Sequence, residues 1–480
     1  MMRATFPLSP ALAERPRWGT GTLNFGGTSV MFIRQHSAPS GRRKKLTTAI
    51  AVLATAALVA AACGDKKQDA ATTTAAAAPE TTAASTETTA APTETTAAPT
   101  ETTGVVPPTG EPINVWVLTT VDSSFLSYPN IKAAGDIYES YINDRGGIAG
   151  RPLKVTFCDG KTDPNEDAAC ARKAVADKAV ALVGGFDIDM SLAIGVLEEG
   201  NTAWFGACCP IVAKEYTSPI SFNLGSAFDF NIGSAYKLNA DGCKNISMVY
   251  LEANADFAIS QTKIGMEKVG YAGKVEYYVI PSGTTDYSSV AAKATDGDVD
   301  CLYGGFSDIA WLGFIPAMEA LGVKPRLYGV QGNFNVKVAE AFPEATENGV
   351  VINAYPNIAA KAWTPYRDAL EQYNAPDLDW NSLAGLGTWA AFEAFRKIVE
   401  QMAADGITDI NHSSFIDAAN KTSNLKMDNM IGDIDFTKPW AGAGGTFPRV
   451  FNHSISFDSM SGGKLTPQDD KTYDMISYWS

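Results

Sequence analysis

The segment from residue 142 to residue 175 constrains the fold more than any other part of the chain. Its pattern predicts the end of a helix, a turn at Gly146, a strand over residues 153–157 and a break at Asp159, and Pro164 then opens a second helix. Helix, glycine turn, strand, acidic loop and helix in this order are typical of a parallel α/β unit.

The same alternation of short apolar runs and helical patterns extends through most of the chain. Strands are predicted at residues 113–119, 153–157, 180–183, 203–205, 246–251, 275–280, 299–303, 326–330 and 350–354. Helices are predicted at residues 131–143, 166–177, 191–200, 257–269, 309–321, 336–342, 382–404 and 414–420. Continuous apolar strands between helices indicate parallel sheets buried on both faces. Because nine strands exceed one small sheet, we expect an α/β fold with two doubly wound parallel-sheet lobes.

Two phrases in the sequence resemble a known family. Asn143, Gly146, Gly147, Ile148 and Gly150, followed by a strand and then by an Asp and a Pro, resemble the first lobe of the type I periplasmic solute-binding proteins of ABC importers. The resemblance is to the leucine/isoleucine/valine-binding (branched-chain amino acid) branch in particular. Residues 302–306, a helix and residues 327–329 look like the second lobe of the same family.

The resemblance implies a domain organisation. In that family the chain crosses three times between the lobes through a hinge, so each lobe is discontinuous and the ligand lies in the cleft. Lobe 1 is expected at residues 113–236 plus 359–452, and lobe 2 at residues 237–358 plus 453–480. General physics agrees with a cleft site, because parallel sheets bind ligands at the carboxyl ends of their strands.

The first 62 residues have the pattern of an export signal. A basic run, Arg42 to Lys45, leads into residues 46–62, which carry no charge and end in three alanines before Cys63. This run is too short for a comfortable membrane span. The alanines and Cys63 resemble a lipobox, which implies a lipid on that thiol, although cleavage without lipid stays open. Residues 1–30 are interpreted as a misassigned start, with translation beginning at Met31.

Residues 63–112 are predicted to form a disordered tether. They consist mostly of Ala, Thr, Pro and Glu, and this composition cannot bury enough apolar surface to offset the entropy of ordering. Together with the signal and Cys63, the tether predicts an exported protein anchored by lipid to the outer face of the cytoplasmic membrane.

Charge, motifs and cysteines exclude several classes. The formal net charge is −15, and the leader holds eight basic residues and one acidic residue, so the remainder carries −22 and does not suit nucleic acid. No catalytic motif is found, so neither an enzyme nor a cofactor is expected. Without C-x-x-C, and with two histidines in the mature domain, a metal site is not expected either. Six cysteines follow Cys63, and we predict the disulfides Cys158–Cys170 and Cys243–Cys301, with Cys208 and Cys209 as a vicinal pair or free thiols.

Ligand contacts are inferred from the resemblance, which places them in loops after particular strands. The matching positions are Ser123, Phe125, Phe186, Asp187, Ile188, Ala207 and Cys208 in lobe 1, and Phe257, Phe306 and Gln331 in lobe 2. The alternatives are that Phe125, Phe257 and Phe306 are core residues and that Asp187 caps a helix.

Two positions depart from the amino-acid-binding pattern. Asp187 stands near the position where relatives have a hydroxyl that holds a carboxylate, and it would repel a carboxylate there. Neutral Gln331 stands where an acid is expected to hold an ammonium. An amide, an amine or a polar uncharged solute therefore fits at least as well as a branched-chain amino acid. The expected function is a monomeric solute-binding lipoprotein that serves permease subunits with a separate ATPase. The alternatives are a tethered ligand sensor for a signalling partner and an exported enzyme.

Overall fold

The computed structural model describes residues 105–123, 127–225, 227–252, 255–442 and 447–478. The signal segment 1–62, the lipidation site Cys63, most of the tether and the proposed contact Phe125 lie outside the described residues. No described helix combines the length and the apolar character that a bilayer span requires.

The described chain alternates strands and helices. The strands are β1 Ile113–Thr119, β2 Leu153–Asp159, β3 Ala181–Val183, β4 Ala203–Phe205, β5 Ser221–Phe222, β6 Asn245–Leu251, β7 Lys274–Ile280, β8 Cys301–Gly305, β9 Arg326–Val330, β10 Val350–Asn353, β11 Ser454–Ser461, β12 Lys464–Pro467 and β13 Tyr473–Asp474. The helices are α1 Pro129–Asn143, α2 Pro164–Ala176, α3 Ser191–Glu199, α4 Ala213–Thr217, α5 Ala227–Ala240, α6 Ala255–Lys268, α7 Ser288–Ala294, α8 Asp308–Ala320, α9 Val336–Ala341, α10 Thr364–Gln372, α11 Leu383–Ala404 and α12 His412–Lys421. Each of the nine predicted strands is present.

Local sequence explains where the main helices begin. The carboxylate of Asp163 accepts a hydrogen bond from the backbone N–H of Asn165 at 2.8 Å, and Pro164 occupies the first turn of α2. The hydroxyl of Ser382 accepts from the N–H of Gly385 at 3.2 Å at the start of α11. These contacts satisfy amide groups that a helix start otherwise leaves without partners.

Lobe 1 is built on a parallel five-stranded sheet in the order β2-β1-β3-β4-β5. The long helix α11 packs against α1 and contacts β3. The hydroxyl of Thr388 donates to the carbonyl of Gly184 at 2.9 Å, and a side chain at Gly206 would overlap Ala391. Helix α11 therefore completes the core of lobe 1.

Lobe 2 is built on a mixed sheet in the order β12-β11-β10-β9-β8-β6-β7, with β13 paired to β11. Strands β6 to β10 are mutually parallel, whereas β11 runs antiparallel to β10 and to β12. The prediction of parallel sheets is therefore wrong for this edge. The sequence pattern did not reveal β11, β12 or β13.

Three disulfides occur in the described chain. Cys158–Cys170 links β2 to α2, and Cys243–Cys301 links the turn between α5 and β6 to the start of β8. Both are pairings that the sequence predicts. The third joins the neighbours Cys208 and Cys209 after β4, which decides between the two alternatives left open for them.

The chain passes between the lobes at residues 223–225, 354–358 and 449–453. The crossings are hydrogen-bonded to each other. Asn223 and Val450 form a parallel bridge, the amide of Asn452 donates to the carbonyl of Leu224 at 3.1 Å, and the hydroxyl of Tyr355 donates to the same carbonyl at 3.4 Å. The expected lobe limit between residues 236 and 237 falls inside α5, which packs on α6 and contacts β9, β10 and β11.

Candidate functional site

A cavity of about 340 Å³ lies between the two lobes beside the second crossing. Its walls come from the loop after β9, from the end of β10, from the crossing and from the lobe 1 loop before α11. Small-molecule sites in proteins commonly have volumes of about 300–1,000 Å³. The cavity is therefore large enough for a small solute that touches both lobes.

Side-chain amides dominate the polar part of this cavity. It is lined by Gln331, Asn335, Asn353, Asn357 and Asn381, together with the carboxylate of Asp379, the ammonium of Lys464 and apolar side chains that include Phe334 and Ile358. Amides both donate and accept hydrogen bonds. The walls can therefore match a small molecule with mixed polar groups.

Gln331 is a predicted contact that borders this cavity. Its amide nitrogen donates to the carbonyls of Tyr355 at 3.0 Å and Asn381 at 3.2 Å, and its amide oxygen accepts from the N–H of Tyr355 at 3.2 Å. The side chain thus connects lobe 2 to the second crossing and to lobe 1. Because these bonds use the amide internally, Gln331 positions the cavity walls and leaves little capacity for a ligand.

Asp187, the predicted contact after β3, lies inside lobe 1. Its carboxylate accepts from the hydroxyl of Thr120 and from the N–H of Ile188, the latter at 2.7 Å. The hydroxyl of Thr120 also accepts from the N–H of Thr162 at 2.7 Å. This network ties together the loops that follow β1, β2 and β3.

Asp167 completes the network, and sequence analysis did not identify it. It is buried in the first turn of α2, and oxygens of Asp167 and Asp187 both meet the position that a Cβ at Gly160 would occupy. No described donor reaches either Asp167 oxygen. Burial, followed by the neighbouring charge of Asp187 and a hydrogen bond to it, raises the pKa of Asp167 to about 9. Asp167 therefore carries a proton at neutral pH and can donate it in a hydrogen bond to the carboxylate of Asp187.

The remaining predicted contacts in the described part of lobe 1 are buried or half-buried. The hydroxyl of Ser123, which is half-buried, lies 3.2 Å from that of Thr162. Phe186 packs edge-to-face against Tyr128 with ring centroids 5.0 Å apart, and it is buried. Ala207 and Cys208 are buried and Ile188 is half-buried. The structure therefore brings Ser123 and Asp187 into one network, through Thr162 and Thr120.

The two lobe 2 phenylalanines differ in environment. Phe306 is buried, with its ring centroid 4.5 Å from that of Trp311 and 5.4 Å from that of Phe314, so it is part of the lobe 2 core. Phe257, in the first turn of α6, is 39% exposed. Phe257 is therefore the more exposed of the pair.

Within the described ranges, no group of three or more His, Cys, Asp or Glu side chains is arranged to hold a metal ion. A site for a transition metal with several such ligands is therefore not seen there.

Comparison with known proteins decides the family. A sequence model described as periplasmic binding protein matches residues 112–447. The chain belongs to the periplasmic binding protein family. The resemblance to type I solute-binding proteins and the α/β two-lobe fold are thereby confirmed. No curated protein shows a significant match to this periplasmic binding protein.

Solved structures share the fold of this periplasmic binding protein at low sequence identity. A substrate-binding periplasmic protein from Ralstonia solanacearum is 18% identical with a TM-score of 0.60, covering 74% of this chain and 100% of that one. A fatty acid ABC transporter substrate-binding protein from Thermomonospora curvata is 17% identical with a TM-score of 0.59, covering 78% and 96%. The branched-chain amino acid transporter substrate-binding protein LivJ from Streptococcus pneumoniae, in complex with isoleucine, is 16% identical with a TM-score of 0.58, covering 74% and 98%.

Proposed function

We propose that this chain is an extracytoplasmic solute-binding lipoprotein that captures a small polar molecule between its lobes and delivers it to an ABC importer. The observation that carries the proposal is the 340 Å³ cavity, whose walls come from both lobes and from the crossing between them. A solute there contacts both lobes at once, and its binding therefore favours the closed arrangement of a hinged protein. An importer can then distinguish the loaded from the empty form.

The proposed ligand is an amino acid or an amide-like or amine-like molecule. The cavity offers several neutral amides, one carboxylate at Asp379 and one ammonium at Lys464, which suits a solute carrying both donors and acceptors. The relatives named above bind isoleucine in one case and serve a fatty acid transporter in another. The carboxylate of Asp187 is engaged inside lobe 1, so the repulsion of carboxylates inferred from it is not part of this proposal.

We expect mass spectrometry of small molecules released from the purified protein to identify an amino acid, amide or amine. Adding that compound back should reduce the radius of gyration in small-angle scattering, because both lobes close on it. Asp379→Asn removes one charge from the cavity wall and should change the affinity for that compound. Asp433→Asn removes an exposed acid paired with Lys426 and is the control, in which the affinity should be unchanged. If no compound changes the scattering profile at saturation, hinged capture is contradicted.

We also propose that Cys63 carries a lipid that anchors the chain. Support comes from the sequence, in which an uncharged apolar run and three alanines precede Cys63. Metabolic labelling with a fatty-acid analogue should mark the wild-type protein and leave Cys63→Ala unlabelled. Label that persists in the variant would rule out this attachment site.

A further inference from the structure

Four polar side chains meet where the second and third crossings join the lobe 2 sheet. Asn353 ends β10, Asn357 lies in the second crossing, and Ser456 and Asp458 lie in β11. Asn353 is paired with Ser456 in the ladder, and Asp458 is two residues further along β11. Side chains two residues apart on a strand share a face, so residues 353, 456 and 458 project to the same side of the sheet.

Asp458 is a buried carboxylate without a cationic partner. One of its oxygens accepts from the amide of Asn357 at 2.6 Å, and the other receives no hydrogen bond. No Lys, Arg or His in the described part of the chain forms an ion pair with it. Burial raises the pKa of Asp458 to about 6, opposed by the amides of Asn357 and Asn353, so the group is mostly ionised at neutral pH. A buried charge of this kind requires a compensating partner.

The neighbours of Asp458 also have unused oxygens. Both amide atoms of Asn353 and the hydroxyl of Ser456 are buried and have no hydrogen-bond partner, and the amide of Asn353 makes no bond of good geometry to Asp458. Residues 353, 456 and 458, side by side on one face of the sheet, therefore each carry an oxygen acceptor without a donor, and one of them is a carboxylate. Native proteins rarely leave buried polar groups unpaired.

Two cavities flank this cluster. Asn353 and Asn357 line the 340 Å³ interlobe cavity, and Asn357, Ser456 and Asp458 line a second cavity of about 200 Å³. The second cavity also includes the exposed acids Asp469 and Asp470. A small guest thus has space on either side of the cluster, whose unpaired oxygens are themselves buried.

We propose that Asn353, Ser456 and Asp458 bind a hard cation such as sodium or calcium at the hinge side of lobe 2. Hard cations prefer carboxylate, amide and hydroxyl oxygens, and the cluster supplies one of each. One carboxylate with two neutral oxygens provides a single negative charge, which implies modest affinity, with water completing the coordination. The cation neutralises Asp458 and satisfies the two neutral oxygens. The site shares Asn353 with the wall of the interlobe cavity, but binding of the cation does not require the solute.

The test measures the melting temperature of the full chain after chelation and dialysis into tetramethylammonium chloride. Sodium, magnesium and calcium are then added separately at constant ionic strength. At saturation at least one of them is expected to raise the melting temperature by about 2–4 °C, because a ligand that binds only the folded state stabilises it. Asp458→Asn should abolish the rise, and without added cation it should melt no lower than the wild type because it removes a buried charge. Asp470→Asn, an exposed acid of the same cavity, should keep the rise.

Several outcomes overturn the proposal. If none of the three cations shifts the wild type, the cluster holds water alone. If Asp470→Asn abolishes the rise as completely as Asp458→Asn, the cation is bound by surface acids. If Asp458→Asn does not fold, Ser456→Ala replaces it. Calorimetric titration of that variant should show the cation affinity reduced at least about tenfold, which corresponds to about 1.4 kcal/mol of binding free energy. Unchanged affinity in Ser456→Ala excludes that oxygen and with it the site.

Discussion

Gly225→Ala is expected to destabilise the protein by about 3 kcal/mol or more, because the added methyl group would overlap backbone atoms of a neighbouring segment. A Cβ at Gly225 would overlap the carbonyl oxygen of Cys208. That oxygen belongs to the segment after β4 that the Cys208–Cys209 disulfide constrains. Relief requires the first crossing or this segment to move. Urea unfolding followed by circular dichroism measures the loss as a lower midpoint.

Gly195→Ala is the matched control for this prediction. It lies in α3, and the contact of a Cβ there is the end of the flexible Lys214 side chain at 3.1 Å. Alanine is favoured over glycine in helices by about 1 kcal/mol, so this variant should equal or exceed the wild type in stability. If Gly225→Ala unfolds at the same urea concentration as Gly195→Ala, the crossing is not packed as described.

At pH 9, Asp167→Asn is expected to have a free energy of unfolding about 2 kcal/mol higher than that of the wild type. In the folded state the pKa of Asp167 is raised from 3.8 to about 9, so the folded state holds this proton more tightly than the unfolded chain. Stability contributed by the proton is complete below about pH 4 and is lost progressively up to about pH 9. Asparagine keeps a donor for Asp187 at every pH. Melting temperatures measured from pH 5 to pH 9 should fall for the wild type and stay flatter for the variant.

Asp163→Asn provides the control for charge removal near the same helix start. Asp163 is exposed, its pKa is lowered by hydrogen bonds from Asn165, and asparagine also caps helices well. This variant should therefore follow the wild-type pH dependence. An equal flattening in Asp163→Asn and Asp167→Asn would contradict a proton held by Asp167 in the folded state.

Strands β1, β4 and β9 were predicted with their limits, whereas β11, which has polar residues on one face, was not predicted. The predicted limits of β1, β4 and β9 agree with the structure because these strands are short apolar runs between helices. Strand β11 was missed because it alternates Ile455 and Phe457, which face the core, with Ser456 and Asp458. Such a pattern indicates a solvent-exposed face, yet here that face is buried.

The loops of the candidate site could be predicted, whereas the direction of their side chains could not. Asp187 and Gln331 do follow β3 and β9, but both are used for internal hydrogen bonds. The partner of Asp187 is Asp167, on a helix from another part of the chain, and only the fold brings them together. Phe306 packs against core residues of α8. The periodicity of the sequence alone does not distinguish such a core phenylalanine from one that contacts a ligand.

The position of α11 in the chain affects how the protein is made. The strands of lobe 1 are complete at residue 222, but the helix that fills their core ends at residue 404. At typical rates of synthesis this interval corresponds to roughly 10–40 s. During that time the newly made lobe 1 segment lacks a main element of its core and cannot reach its final stability. The nascent chain therefore cannot complete the fold of lobe 1 until most of it has been translated. Delayed folding suits a protein that is exported across a membrane.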